Sequence, residues 1–146
     1  MNGRALRAAG LVAAGLIAVA APALALALAQ EAPERELQML GRCALATSVY
    51  RSLMPPAPTP LIVTDEDKAL YERMKQVDPL LRARADTVAA SVDPAVSAAI
   101  GEELKAQYRA QMAPPDGPRK TPREALDLYA PILEACIVRA DMLPKD

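Results

Sequence analysis

The sequence contains no histidine, tryptophan or phenylalanine, and four tyrosines are its only aromatic residues. Without histidine, the chain lacks the side chain that proteins use most often as a metal ligand and as a general base near neutral pH. Two cysteines without histidine fall short of the four ligands of a zinc site, and the CxxCH motif for haem attachment is absent. We therefore expect no metal, no cofactor, and a core of Leu, Ile, Val, Met and Ala.

An excess of basic residues is also missing. Lys and Arg together number 17 against 18 Asp and Glu, which gives a formal net charge of −1. Loss of Arg4 and Arg7 with the N-terminal segment would bring this charge to about −3. A nucleic-acid-binding domain normally carries a basic excess on one face. We therefore expect no nucleic-acid partner.

The first 29 residues have the layout of a secretory signal peptide. Arg4 and Arg7 precede an uncharged apolar run over residues 8–29, which ends in small residues. The pattern ALA before Gln30 predicts cleavage after Ala29, with two competing sites in the same repeat. An uncleaved anchor is the alternative, because about 20 apolar residues can span a bilayer. We expect export to the periplasm or the extracellular space, with membrane contact only if this segment is kept.

Residues 30–146 predict a single all-α domain, a small bundle of four main helices. Apolar residues recur at steps of three and four, and no segment alternates apolar and polar residues for long enough to predict a strand. The predicted helices are about 34–54, 65–91, 94–112 and 122–143. Pro79 lies inside the second and predicts a kink or a break, which would make five helices.

Several local signals set these boundaries. Thr64 precedes three acids and can cap the second helix, while Asp93 precedes Pro94 at the start of the third. Thr121 and Glu124 have the spacing of a capping box at the start of the fourth. The proline-rich PPAPTP segment ends the first helix. The third helix carries a stripe that we expect to face the core: Val96, Ile100, Leu104, Tyr108 and Met112.

The two cysteines, Cys43 and Cys136, predict a disulfide between the first and last helices. Cys43 lies too far beyond the apolar run to accept a lipid. A reactive thiol beside Arg42 is the other alternative, but adjacent helical residues point about 100° apart, and no base is present. Export, an even cysteine count and small neighbours favour the disulfide. It would close a loop of about 94 residues.

Three tyrosines, Tyr50, Tyr108 and Tyr129, lie on or beside the apolar stripes. We interpret them first as core residues, with a tyrosine-lined groove for a ligand or partner as the alternative.

Two groups of acidic residues also allow two interpretations each. The acidic run at residues 65–67 could be a calcium site, but we interpret it as the start of a helix, where acidic side chains complement the helix dipole. Glu102 and Glu103 are neighbours on one helix and therefore do not face each other as a catalytic pair.

These observations predict no catalytic residue. We expect an exported, non-enzymatic helical module of the cell envelope that binds a partner protein, an envelope component or a small apolar ligand. The alternative is an envelope stress or chaperone-like protein, whose apolar face becomes exposed when conditions change. An enzyme that depends on carboxylates and tyrosines alone is the third hypothesis.

Overall fold

The computed structural model describes residues 20–56 and 63–144, with side chains from residue 32 onward. It contains four α-helices: α1 (Ala20–Leu53), α2 (Asp65–Ala89), α3 (Pro94–Met112) and α4 (Pro122–Asp141). No β-strand occurs in these ranges. The predicted all-α class and the number of main helices are confirmed. Ala32–Asp146 forms one compact unit and Met1–Glu31 another.

Two predicted segments fall wholly or partly outside the described residues. Residues 1–19 of the predicted signal peptide lie outside the described ranges. The structure does not test cleavage after Ala29, which therefore stays a prediction. Residues 57–62, which include most of the proline-rich connection, are also outside. Among the helices within the described ranges, none is long and apolar enough to cross a membrane.

Prolines inside three helices do not end them. α1 runs through Pro33 and therefore begins before the predicted start at residue 34. α2 continues through Pro79, so the alternative of five helices is not observed, and α4 continues through Pro131. A proline removes one backbone hydrogen bond and crowds the preceding turn. Strong helix formers on both sides, such as Ala, Leu, Glu and Arg, offset part of this cost.

The starts of the last three helices follow the local sequence signals. Thr64 and Thr121 each form a capping box, with Asp67 and Glu124 as the reciprocal partners. Asp93 accepts hydrogen bonds from two backbone amides in the first turn of α3. These caps satisfy amides that no helical carbonyl can reach.

Helices α1, α2 and α4 supply the hydrophobic core. The fully buried side chains of greatest volume come from these three helices: Tyr50, Tyr129, Met74, Leu126, Leu133, Thr47 and Cys43. α3 contributes only one buried side chain, Leu104, although its stripe predicted a larger buried face. Tyr108 and Met112 pack against the core while partly exposed, whereas Val96 and Ile100 are half-buried outside it. α3 is therefore the most peripheral helix of the four.

Leu104 packs directly over Gly41 of α1. A Cβ atom built at Gly41 would lie 2.5 Å from Leu104 Cδ1, which is closer than real contacts allow. Gly101, one turn earlier on α3, has no atom within 4 Å of its built Cβ. Glycine at position 41 thus permits the close approach of α3 to α1, whereas position 101 makes no such demand.

This difference predicts that two Gly→Ala substitutions change the free energy of unfolding differently. Gly101→Ala is expected to raise the free energy of unfolding by about 0.5 to 1 kcal/mol, because alanine is the better helix former. The free energy of unfolding of the Gly41→Ala variant is expected to be at least about 1 kcal/mol lower than that of the Gly101→Ala variant, because Leu104 must move. Urea unfolding of both variants measures the gap.

The Leu104→Ala background provides the control for this prediction. There the obstructing methyl groups are absent, so Gly41→Ala should gain as much as Gly101→Ala does. Equal gains for the two substitutions in the presence of Leu104 would contradict the proposed close contact.

Candidate functional site

The predicted disulfide is present and joins α1 to α4. Cys43 and Cys136 have an S–S distance of 2.02 Å and a Cα–Cα distance of 5.8 Å. Both residues are buried, as are Ala46 and Ala140, each one turn further along its helix. These small side chains allow the two helices to approach at this level. Arg42 is exposed, as expected for the neighbour of a buried helical residue.

An apolar cavity of about 490 Å³ lies alongside this disulfide, between α1 and the C-terminal half of α4. We call it the disulfide groove. Besides the two cysteines, its lining residues are Met39, Arg42, Pro131, Ile132, Ala135, Val138, Arg139 and Met142. Val138 is 52% exposed and Met142 is 72% exposed, both high values for apolar side chains. The groove is therefore a largely apolar surface open to solvent, and among the described residues that line it only Arg42 and Arg139 are charged.

A second, smaller cavity of about 230 Å³ lies between α1, α3 and α4. We call it the tyrosine cleft. Its lining residues are Arg42, Leu45, Leu104, Gln107, Tyr108, Gln111, Tyr129 and Ile132. The rings of Tyr108 and Tyr129 are inclined at 46° with their centroids 6.3 Å apart. The Tyr129 hydroxyl donates a hydrogen bond to Gln111 Oε1 at 3.2 Å. Burial raises the pKa of Tyr129, so its hydroxyl remains protonated at neutral pH.

Of the three tyrosines predicted for a groove, the structure brings only two together. Tyr50 is fully buried in the core, and its hydroxyl donates to the Leu126 carbonyl of α4 at 3.2 Å. Burial, followed by the nearby Asp67 carboxylate, raises the pKa of Tyr50 to about 12. Tyr50 lines neither cavity and corresponds to the core interpretation, whereas Tyr108 and Tyr129 line the cleft.

Arg42 and Ile132 line both cavities, which therefore adjoin. Arg42 makes no hydrogen bond or ion pair with any residue whose side chain the structure describes. Arg139, the other arginine of the groove, donates from Nη2 to Glu36 Oε1 at 3.1 Å. No acidic side chain lines either cavity within the described part of the chain. The junction of the two cavities thus carries an uncompensated positive charge.

Glu36 links three helices next to the disulfide groove. Its carboxylate accepts two hydrogen bonds from Arg84 of α2, at 2.8 and 2.9 Å, and one from Arg139 of α4. Arg84 first, and Arg139 with it, hold the pKa of Glu36 below its ordinary value despite partial burial. One carboxylate shared by two guanidinium groups leaves a net positive charge on this side of the groove.

The cleft between α2 and α4 is larger, at about 620 Å³, but it differs in chemistry. Its walls include Asp67 and Arg123, which form a two-point ion pair at 2.6 and 3.1 Å, and Asp127, which pairs with the same arginine at 2.6 Å. Arg123 thus pairs with one carboxylate of α2 and with one of its own helix. We interpret Asp67, Arg123 and Asp127 as a structural ion-pair cluster, since these three charged groups already have partners in the protein.

The other acidic residues considered in the sequence do not form a site. Glu102 pairs with Lys105 at 2.8 Å, which lowers the pKa of Glu102, while Glu103 accepts from Gln107 Nε2 at 2.9 Å. Asp65 pairs with Lys68 on the surface of α2. Within residues 32–56 and 63–144, no group of His, Cys, Asp or Glu side chains is placed to hold a metal ion.

The disulfide groove was missed in the sequence because it depends on how two distant helices meet. Met142 was visible only as one of several methionines, which more often fill core gaps. Val138 and Met142 lie four residues apart and off the buried stripe of α4, and this spacing was the one available signal. The sequence predicts that Arg42 points away from the buried Cys43, but its place between two cavities depends on residues of α3 and α4.

The fold and these cavities define a disulfide-linked protein of four helices with an apolar groove beside the disulfide. No family model, no curated protein and no solved structure matches the chain.

Proposed function

We propose that this protein is an exported, non-enzymatic helical module of the cell envelope that binds a small apolar ligand in the disulfide groove. The groove itself carries this proposal. Ligand sites in proteins are typically concave, mainly apolar and about 300 to 1,000 Å³ in volume, with a few polar groups that fix orientation. The disulfide groove, at about 490 Å³, has this size and composition.

Two observations support the export part of the proposal. The N-terminal sequence has the order of a signal peptide, with basic residues, an apolar run and a small-residue site before Gln30. Disulfides also persist mainly in oxidising compartments outside the cytosol. The intact mass of the protein recovered from the envelope tests this part. A mass equal to that of residues 30–146 with an intact disulfide supports this part of the proposal. The mass of an uncleaved chain with two free thiols contradicts it.

The disulfide also favours a ligand site over a merely uncovered surface. Cys43 and Cys136 line the groove and hold its two walls, α1 and α4, at a fixed separation. A groove whose walls are covalently joined needs little reorganisation when a ligand enters, and this lowers the cost of binding.

The groove can be tested with 1-N-phenylnaphthylamine, a neutral probe whose fluorescence rises in apolar surroundings. We expect saturable binding to the purified protein. The Val138→Gln/Met142→Gln variant should bind about tenfold more weakly, because two apolar contacts are lost. Both side chains are exposed, so the fold should remain intact, and far-ultraviolet circular dichroism checks this.

Leu80→Gln provides a matched control. Leu80 is an apolar residue of α2 that is 42% exposed and lines neither cavity. Its replacement should leave the probe affinity unchanged. Absence of saturable binding, or equal weakening by Leu80→Gln and by the groove variant, would contradict the proposed function.

A chaperone-like role is the second candidate, favoured by the same exposure of Val138 and Met142. Such a protein would increase its apolar surface when temperature or pH changes. Fluorescence of a dye that reports apolar surface, followed across both conditions with and without reductant, tests this role. A signal that changes only with global unfolding would count against it.

A further inference from the structure

The disulfide groove and the tyrosine cleft differ sharply in polarity although they adjoin. The groove offers apolar side chains, among them Met39, Ile132 and Met142. The cleft offers polar groups from α3, namely the side chains of Gln107, Tyr108 and Gln111. An occupant that fills both spaces must therefore have an apolar part and a polar part joined end to end.

The polar end favours an anion. Arg42 lies where the two cavities meet and has no partner among the described side chains, while no acidic residue lines either cavity. Gln111 uses its Oε1 atom to accept from Tyr129, which leaves its Nε2 group as a donor toward the cleft. A guanidinium also matches the two oxygens of a carboxylate in a paired geometry. The Gln107 Nε2 group donates to Glu103, so Gln107 contributes an acceptor to the cleft, but Arg42 supplies the only formal charge among the described residues that line it.

We propose that the two cavities together bind a single-chain amphiphile with a carboxylate headgroup, of the kind represented by a fatty acid. Its headgroup lies on Arg42 at the mouth of the tyrosine cleft, and its alkyl chain lies along the disulfide groove. This inference rests on the proposed function and assigns a ligand class to the same groove. A small inorganic anion would leave the apolar groove empty, and a neutral hydrocarbon would leave Arg42 without a counter-charge.

Displacement of 1-N-phenylnaphthylamine by three ligands with the same alkyl chain tests the proposal. Dodecanoate carries a carboxylate, dodecanol carries no charge and dodecyltrimethylammonium carries the opposite charge. We expect dodecanoate to bind about five- to tenfold more tightly than dodecanol, because its headgroup forms a charge-assisted contact. The cationic ligand should bind most weakly. The preference for dodecanoate should shrink as salt is added, since exposed charges are screened.

Arg42→Gln should abolish the preference for dodecanoate, so that dodecanoate and dodecanol bind this variant with equal affinity. Arg51→Gln removes the same charge from an exposed position of α1 that lines neither cavity, so it should leave the preference intact. Both positions face solvent, and unfolding in urea verifies that each variant retains its stability.

The outcomes separate this inference from the proposed function. Equal affinity for dodecanoate and dodecanol, or a preference that survives Arg42→Gln, overturns the anionic ligand while the groove itself stands as a binding site. Binding to anionic vesicles without binding to monomeric dodecanoate also overturns it. Failure of the neutral probe to bind the native protein removes the proposed function and this inference together.

Discussion

Replacing both cysteines in the Cys43→Ala/Cys136→Ala variant is expected to lower the free energy of unfolding by about 4 to 5 kcal/mol. The disulfide joins residues 93 positions apart, so it restricts the conformations that most of the domain can adopt in the unfolded state. Loss of this restriction raises the entropy of the unfolded chain. Small domains have a total stability of about 5 to 15 kcal/mol, so the variant should be close to the limit of folding. Urea unfolding at neutral pH measures the change.

Reduction of the wild-type protein separates the two contributions to this effect. The reduced protein keeps both sulfur atoms in the buried space, so it loses the crosslink without creating a cavity. We expect it to lose most of the stability that the alanine variant loses, with the remainder assigned to packing around Cys43 and Cys136. Reductant should not affect the alanine variant. A reduced wild type as stable as the oxidised one would contradict a stabilising role of the crosslink.

Features encoded by residues close together in the chain could be predicted from the sequence. The capping residues Thr64, Asp93 and Thr121 each act on amides within three positions, and each is found as a cap. The disulfide joins distant residues, but the sequence has only two cysteines, so an intramolecular disulfide has a single possible pairing. The start of α1 differs from the prediction, because the helix expected to begin at about residue 34, directly after Pro33, instead continues through that proline.

Features that depend on the arrangement of helices could not be predicted. The shared carboxylate of Glu36 contacts arginines 48 and 103 positions away, and no local pattern indicates either contact. The exposure of α3 is a similar case, because its apolar stripe does not reveal that only Leu104 becomes buried. The groove and its neighbouring cleft are a further case, because Arg42 lies between two cavities only when residues of α3 and α4, distant in the sequence, also line them.

Asp67 shows how one residue can serve both a local and a distant contact. Its Oδ2 atom accepts from the backbone amide and the hydroxyl of Thr64, both at 2.8 Å, which completes the cap of α2. The same carboxylate binds Arg123 of α4 through two hydrogen bonds, at 2.6 and 3.1 Å. The Arg123 guanidinium first, and the Thr64 contacts after it, lower the pKa of buried Asp67 from 3.8 to about 2.

This lowered pKa predicts a loss of stability in acid. Because Asp67 binds protons less readily in the folded state than in the unfolded state, its ionised form stabilises the fold fully above about pH 4. The contribution disappears as pH falls from about 4 to about 2. The difference between the two pKa values corresponds to about 2 kcal/mol.

Asp67→Asn is therefore expected to lower the free energy of unfolding by about 2 to 3 kcal/mol at pH 7, since Arg123 loses its charged partner and the cap loses a carboxylate. The gap between wild type and variant should narrow as pH falls from 4 to 2, because wild-type Asp67 becomes protonated. Urea unfolding across this range measures it. Asp65→Asn is the matched control, because Asp65 lies two residues earlier with a 99% exposed side chain, and it should cost much less. A gap for Asp67→Asn that stayed constant from pH 7 to pH 2 would show that charge on this carboxylate does not stabilise the contact between α2 and α4.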